Sequence, residues 1–166
     1  MGGARGRNAP ARIRAALARA RVPGRLEALR GHPTVILDVA HNAVAARTIA
    51  TAISGEHRRR RRGRLVLLFA AAREKPARAM LRTLARVTDA AVLCRVPHPR
   101  MRPLDDLLAQ ARGLWKAPPI GAASPEEGLS LAAAFAGANG TILITGSFYL
   151  AGGLRQAVAG RGGTRA

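Results

Sequence analysis

Residues 34–42, TVILDVAHN, decide the fold class of this chain. Thr34–Leu37 is a short, apolar, β-branched run with the composition of a buried strand. It ends in an acid, Asp38, and three residues later His41 and Asn42 open a second pattern. In residues 42–53 (NAVAARTIATAI), Val44, Ala45, Thr48, Ile49 and Ala52 recur at helical spacing, and Asn42 is suited to cap the helix they predict. A strand passing into a helix through polar residues is the unit of an open α/β sheet. In such sheets ligands collect outside the carboxyl ends of the strands. Here an acceptor (Asp38), an imidazole (His41) and a helix N-terminus meet at one such end. The bare spacing also admits a plainer role, with Asp38 and Asn42 as caps and His41 as an exposed first-turn residue.

Working outward, Leu26–Leu29 reads as a short strand closed by Gly31-His32-Pro33, with Arg25 just upstream in VPGRLE. Residues 9–20 predict an amphipathic helix broken at Val22-Pro23-Gly24, and the Gly/Arg-rich residues 1–8 a disordered tail. Downstream, the block His57–Arg62 predicts a solvated loop, because like charges repel. A strand at 64–70 follows, then a helix opened by Pro76 and running to about Val87. Ala90–Cys94 is another apolar strand, Pro97–Pro103 a loop and Leu104–Leu114 a helix. Ser124-Pro125-Glu126-Glu127 is a strong helix start, with an N-cap serine, a first-position proline and acids at the positive dipole end. That helix runs to about Ala136. Thr141–Thr145 is a last strand, and Gly146-Ser147 leads into a helix near 150–159. Strand and helix thus alternate about four times, and the strands are continuously apolar. This predicts an α/β, Rossmann-like, mostly parallel sheet with helices on both faces, spanning 23–160 between tails at 1–22 and 161–166.

The 166 residues suit one domain, and the hydrophobic 48% is mostly Ala, Leu and Val with only five aromatic side chains, which favours helices packed on a sheet. No apolar stretch is long enough to cross a bilayer and no secretory h-region follows the N-terminus. The single cysteine, Cys94, allows no internal disulfide, and a cytoplasmic location is expected. The net charge of +19 raises a nucleic-acid or polyanion-binding reading. Against it, 26 of the 28 basic residues are arginine, rising with Ala, Gly and Pro as GC-rich coding would produce. The run Arg58–Arg62 also carries no interleaved aromatic for base stacking. Nucleic acid is therefore the less favoured partner.

Other polar residues fall at predicted strand ends. Ser147 follows TILITG, and Lys75 lies in AAREKP after the third strand. Their plain readings are a turn serine and a solvent-exposed lysine. His98, Arg100 and Arg102 decorate the proline loop with a weak signal, and Cys94 reads as core. The four histidines show no metal-ligand spacing with Cys94, so no protein-only metal site is expected. The chain contains no G-x-x-x-x-G-K-[ST] phosphate loop, no G-x-G-x-x-G fingerprint and no G-x-S-x-G elbow.

PGRLE (23–27), ILDVAHN (36–42), LVLLFAAAREKP (65–76), the loop Pro97–Arg100 and ILITGSFYLAG (142–152) stand in an order and spacing that resemble a known domain. It is the C-terminal, Mur ligase-type domain of the folylpolyglutamate synthase / dihydrofolate synthase family. The resemblance covers about 13–159, and IRAALARARVPGR resembles the last helix and linker of the preceding ATPase domain. It implies an ATP-dependent ligase that forms an amide with glutamate through an acyl phosphate. ATP and Mg2+ would be held chiefly by a separate phosphate-loop domain, without which this chain would not turn over. By resemblance, Arg25 contacts ATP phosphate, Asp38 binds the ribose region and Asn42 shapes the turn. His41 and Ser147 face glutamate and the acyl phosphate, and Lys75 supplies positive charge there. Implied partners are a separate ATPase-domain chain, glutamate and a folate-type acid, with no membrane. The sequence departs from the family pattern at Ala70–Ala72, where a glycine is usual, at Glu74 for aspartate and at Pro76 for an acid. A basic polyanion-binding module, or a degenerate domain without activity, are the alternative readings.

Overall fold

The computed structural model describes residues 26–29, 31–60 and 63–161. The expected tail and helix at 1–20, Arg25, Arg61–Arg62 and the tail from 162 lie outside the described residues. Strands β1 (Glu27–Leu29), β2 (Thr34–Leu37), β3 (Leu65–Phe69), β4 (Ala90–Cys94), β5 (Ile120–Ala122) and β6 (Thr141–Thr145) form one sheet in the order β1-β2-β6-β3-β4-β5. All pairings are parallel except that of β1 with β2, which is antiparallel with Glu27 opposite Leu37. The helices are α1 (Ala43–Arg60), α2 (Ala77–Ala85), α3 (Leu104–Ala111), α4 (Pro125–Ala136) and α5 (Phe148–Arg161). The α/β architecture agrees with the sequence reading.

Every residue of β3 and β6 is buried, because these strands lie inside the sheet with helices on both faces. Side chains alternate across the pleat. Leu65, Leu67, Phe69 and Leu143 pack against Ile49 and Ile53 of α1, Met80, Leu81 and Leu84 of α2 and Leu107 of α3. Val66, Leu68, Ile142 and Ile144 pack on the opposite face, against Leu129 of α4 and Leu150 and Leu154 of α5. The buried Ala77, Met80, Leu81 and Leu84 give α2 its single apolar stripe. Helix α4 starts as its sequence predicts: Ser124 Oγ accepts the Glu127 amide at 3.2 Å and Glu127 accepts the Ala123 amide at 2.7 Å. Its Gly128 lies so close to the sheet that a Cβ would stand 2.8 Å from Leu68 Cδ1.

Two elements differ from expectation. Helix α1 continues to Arg60, so the backbone of His57–Arg60 is helical and not a loop. Arginine is a good helix former, and apart from Gly55 nothing in this stretch breaks the helix. Strand β5 is not apparent in the sequence: it has three residues and a single strand partner, and its first residue, Ile120, is exposed.

The topology leaves crevices at the sheet's carboxyl edge. From β2 the chain passes to α1 on one face, whereas from its neighbour β6 it passes to α5 on the other. Chains diverging from adjacent strands open a gap at which ligands bind in α/β sheets.

Candidate functional site

The β2/β6 crevice is where Asp38, His41 and Asn42 come together. The Asp38 amide still donates to the Ile144 carbonyl of β6 at 2.9 Å, so the last rung of the ladder fixes this residue at the crevice mouth. The side chain is 7% exposed. Its Oδ1 accepts the Ala40 amide at 2.6 Å and its Oδ2 accepts the Leu26 amide at 3.0 Å. The carboxylate therefore folds the 38–40 turn and ties the entrance of β1 to the end of β2. Leu26 adopts a left-handed φ of +46° there.

His41 projects from this turn and is exposed. Its Nδ1 is 3.1 Å from the Val39 carbonyl, and a carbonyl can only accept, which assigns the proton to Nδ1. In the neutral ring Nε2 is then the free acceptor. The ring lies 5.8 Å from that of Phe148, tilted by 36°. Asn42 caps α1, its Oδ1 accepting the Ala45 amide at 2.8 Å. Around these groups is a cleft of about 450 Å3 lined by Leu26, Asp38, His41, Asn42, Ile49 and Phe148, among others. Phe148, 60% exposed, leaves one wall of the mouth apolar. An imidazole acceptor, a carboxylate and an apolar wall suit a ligand with hydroxyls or an amine beside a flat or aliphatic group.

Ser147 and Lys75 do not line this cleft. Ser147 does follow the strand beside β2, but it is 5% exposed. Its hydroxyl donates to Met101 Sδ at 3.4 Å and accepts the Tyr149 amide at 3.1 Å, which makes it the starter of α5. Lys75 follows β3, on the far side of β6. Its Nζ is 3.6 Å from Glu74 Oε1, which also accepts from Arg100 at 2.9 Å. Hydrogen bonds to Glu74, from the backbone and from Arg100, lower its pKa. Three neighbouring strand ends thus carry Asp38, Ser147 and Lys75, though in separate surroundings. Arg25 lies outside the described residues.

Burial pushes the Cys94 thiol up to about 12, so it is a core group as read and not a nucleophile. His98 stacks on Tyr149 with ring centroids 3.8 Å apart. Among the described residues no group of three or more His, Cys, Asp or Glu side chains could hold a metal ion, and no helix is long and apolar enough to cross a membrane. Sequence reasoning missed Leu26 and Phe148 as walls of the cleft. Phe148 had a signal in its place directly after Ser147 at the predicted end of the last strand; Leu26 had none.

Residues 24–148 match the family described as Mur ligase, glutamate ligase domain. The chain belongs to this family. The Bacillus subtilis (strain 168) dihydrofolate synthase/folylpolyglutamate synthase is 29% identical to this glutamate ligase domain over 148 residues, covering 87% of this chain and 32% of the relative. Among solved structures, E. coli FolC in complex with DHPP and ADP superposes with a TM-score of 0.78 at 26% identity, over 96% of this chain and 36% of that one. Mycobacterium tuberculosis folylpolyglutamate synthase complexed with ADP gives 0.76 at 26% identity, over 88% and 34%. The glutamate ligase domain is therefore homologous to the C-terminal domain of folylpolyglutamate synthase, an ATP-dependent ligase, and it spans about a third of the length of these relatives.

Proposed function

We propose that this glutamate ligase domain is the C-terminal part of an ATP-dependent ligase of the folylpolyglutamate/dihydrofolate synthase type. The reaction would join glutamate to a folate-type acid in the cytoplasm, through an acyl phosphate. It requires a phosphate-loop ATPase domain, in the same polypeptide or as a separate chain. The observation that carries the reading is the β2/β6 crevice, where Asp38, His41 and Asn42 line one cleft in a chain of this family.

The cleft's donor set fits a nucleoside. Both Asp38 oxygens accept backbone amides, and a carboxylate at the cleft is the kind of acceptor that takes ribose hydroxyls. Leu26, Ile49 and Phe148 offer apolar surface beside it. When bound, ATP supplies the phosphoryl group that activates the carboxylate, with Mg2+ in the ATPase domain. Within this chain, Arg25 would pair with phosphate and Asn42 would hold the turn. His41 would present Nε2 as acceptor to the incoming amine. Ser147, with its hydroxyl engaged, would act by fixing the turn that carries Phe148, and Lys75 would add positive charge near the glutamate end.

The test is to combine the chain with the phosphate-loop ATPase domain of a relative and to measure ATP-dependent glutamate addition. Turnover by the pair, absent from either part and lost in His41→Ala, is the expected result. Salt-sensitive polyanion binding with no turnover would favour the basic-module reading instead.

A further inference from the structure

The loop after β4 holds a charged side chain that the ligase reading does not use. Arg102 is only 13% exposed at its side chain. Its Nη2 donates to the carbonyls of both Arg73 and Lys75, the latter at 3.1 Å, and its Nη1 donates to Asp106 Oδ2 at 2.6 Å. Its Nε is buried without a partner. Around it the backbone is already fastened: the Arg102 amide donates to Ala71 at 2.9 Å, Arg73 donates to Arg100 at 2.9 Å, and Ala72 bridges Met101. Residues 100–102 thus form a strap along residues 71–73, between the ends of β4 and β3.

Burying a guanidinium with one N–H unpaired is costly, and backbone bonds alone close the strap. What the side chain adds is local. Both hydrogens of Nη2 are used on the two carbonyls that flank Glu74, and a planar guanidinium fixes their spacing in a way that an ammonium cannot. The Lys75 amide donates to Ala72 at 3.1 Å, so Lys75 is held at both its N–H and its C=O. The next residue, Pro76, begins α2. Beyond Lys75, the same strap reaches the third strand end, where Met101 receives the Ser147 hydroxyl.

We propose that Arg102 is the positioning residue for Lys75, its guanidinium setting the Arg73–Lys75 turn and so the place of the ammonium at the sheet edge. This rests on the role given to Lys75 above. A loop that merely needed a plug would be served by any side chain of similar length.

The chain has two lysines, Lys75 and Lys116, so reductive 13C-methylation gives one side-chain signal for each. In Arg102→Met, which keeps the stem and removes the fork, the Lys75 signal should move to its position in the denatured chain while that of Lys116 stays. Arg102→Gln serves if the methionine variant does not fold. A folded variant with a lower melting temperature and an unmoved Lys75 signal would overturn the proposal. In the pair with an ATPase domain, Arg102→Met should lower turnover by about tenfold to a hundredfold. Adding it to Lys75→Ala should lower turnover no further. If Lys75→Ala leaves turnover intact, the role of Lys75 falls, while the methyl signals still decide whether Arg102 places it.

Discussion

Asp38 reaches back 12 residues to accept the Leu26 amide at 3.0 Å, joining the entrance of β1 to the end of β2. The residue read as a ligand contact is therefore also a structural clamp. Asp38→Ala leaves two amides, those of Leu26 and Ala40, without their charged acceptor. It should destabilise the chain by about 2–3 kcal/mol in urea unfolding. Asp38→Asn, which keeps one acceptor oxygen, should cost less. Loss of activity in either variant has to be read against these unfolding curves.

His41 is the cleaner probe of the cleft. It is exposed and its one hydrogen bond is to a carbonyl two residues away. His41→Ala should change stability by no more than about 0.5 kcal/mol while removing turnover of the reconstituted pair. Denaturant melts alongside the glutamate-addition assay check both halves of this expectation.

Acid should loosen the strap. The hydrogen bond from Arg102, and then that from Gln110, lower the Asp106 pKa, and Glu74 is lowered by its backbone and Arg100 bonds. A carboxylate with a lowered folded pKa contributes stability that is fully present above its unfolded value. That contribution is lost as pH falls through the folded one. The melting-temperature gap between wild type and Asp106→Asn should be constant above about pH 5 and narrow below it.

Gly146 sits at the turn out of β6 with φ of +101°, and a Cβ there would stand 2.4 Å from the Ala70 carbonyl and 2.5 Å from the Phe69 ring. Backbone strain and overpacking act together, so Gly146→Ala should cost about 2–3 kcal/mol. Thermal melts of this variant and of Gly152→Ala, where a Cβ meets nothing within 4 Å, provide the comparison.

Local pattern is enough for the parallel α/β class, because a strand such as LVLLF can be apolar at every position only if both its faces are covered. It also determined the starts of α1 and α4, since capping is a contact between residues three or four apart. It placed Asp38, His41 and Asn42 at one strand end for the same reason. Strand order was decided only by the tertiary structure: β6, last in the chain, inserts between β2 and β3, and long-range burial sets that pairing with no local signal. The same pairing puts Phe148 beside His41 and Met101 against Ser147. The clamp of Arg102 on Lys75 was equally hidden, because an arginine in a proline loop reads as solvated until the fold lays a second loop's carbonyls against its guanidinium.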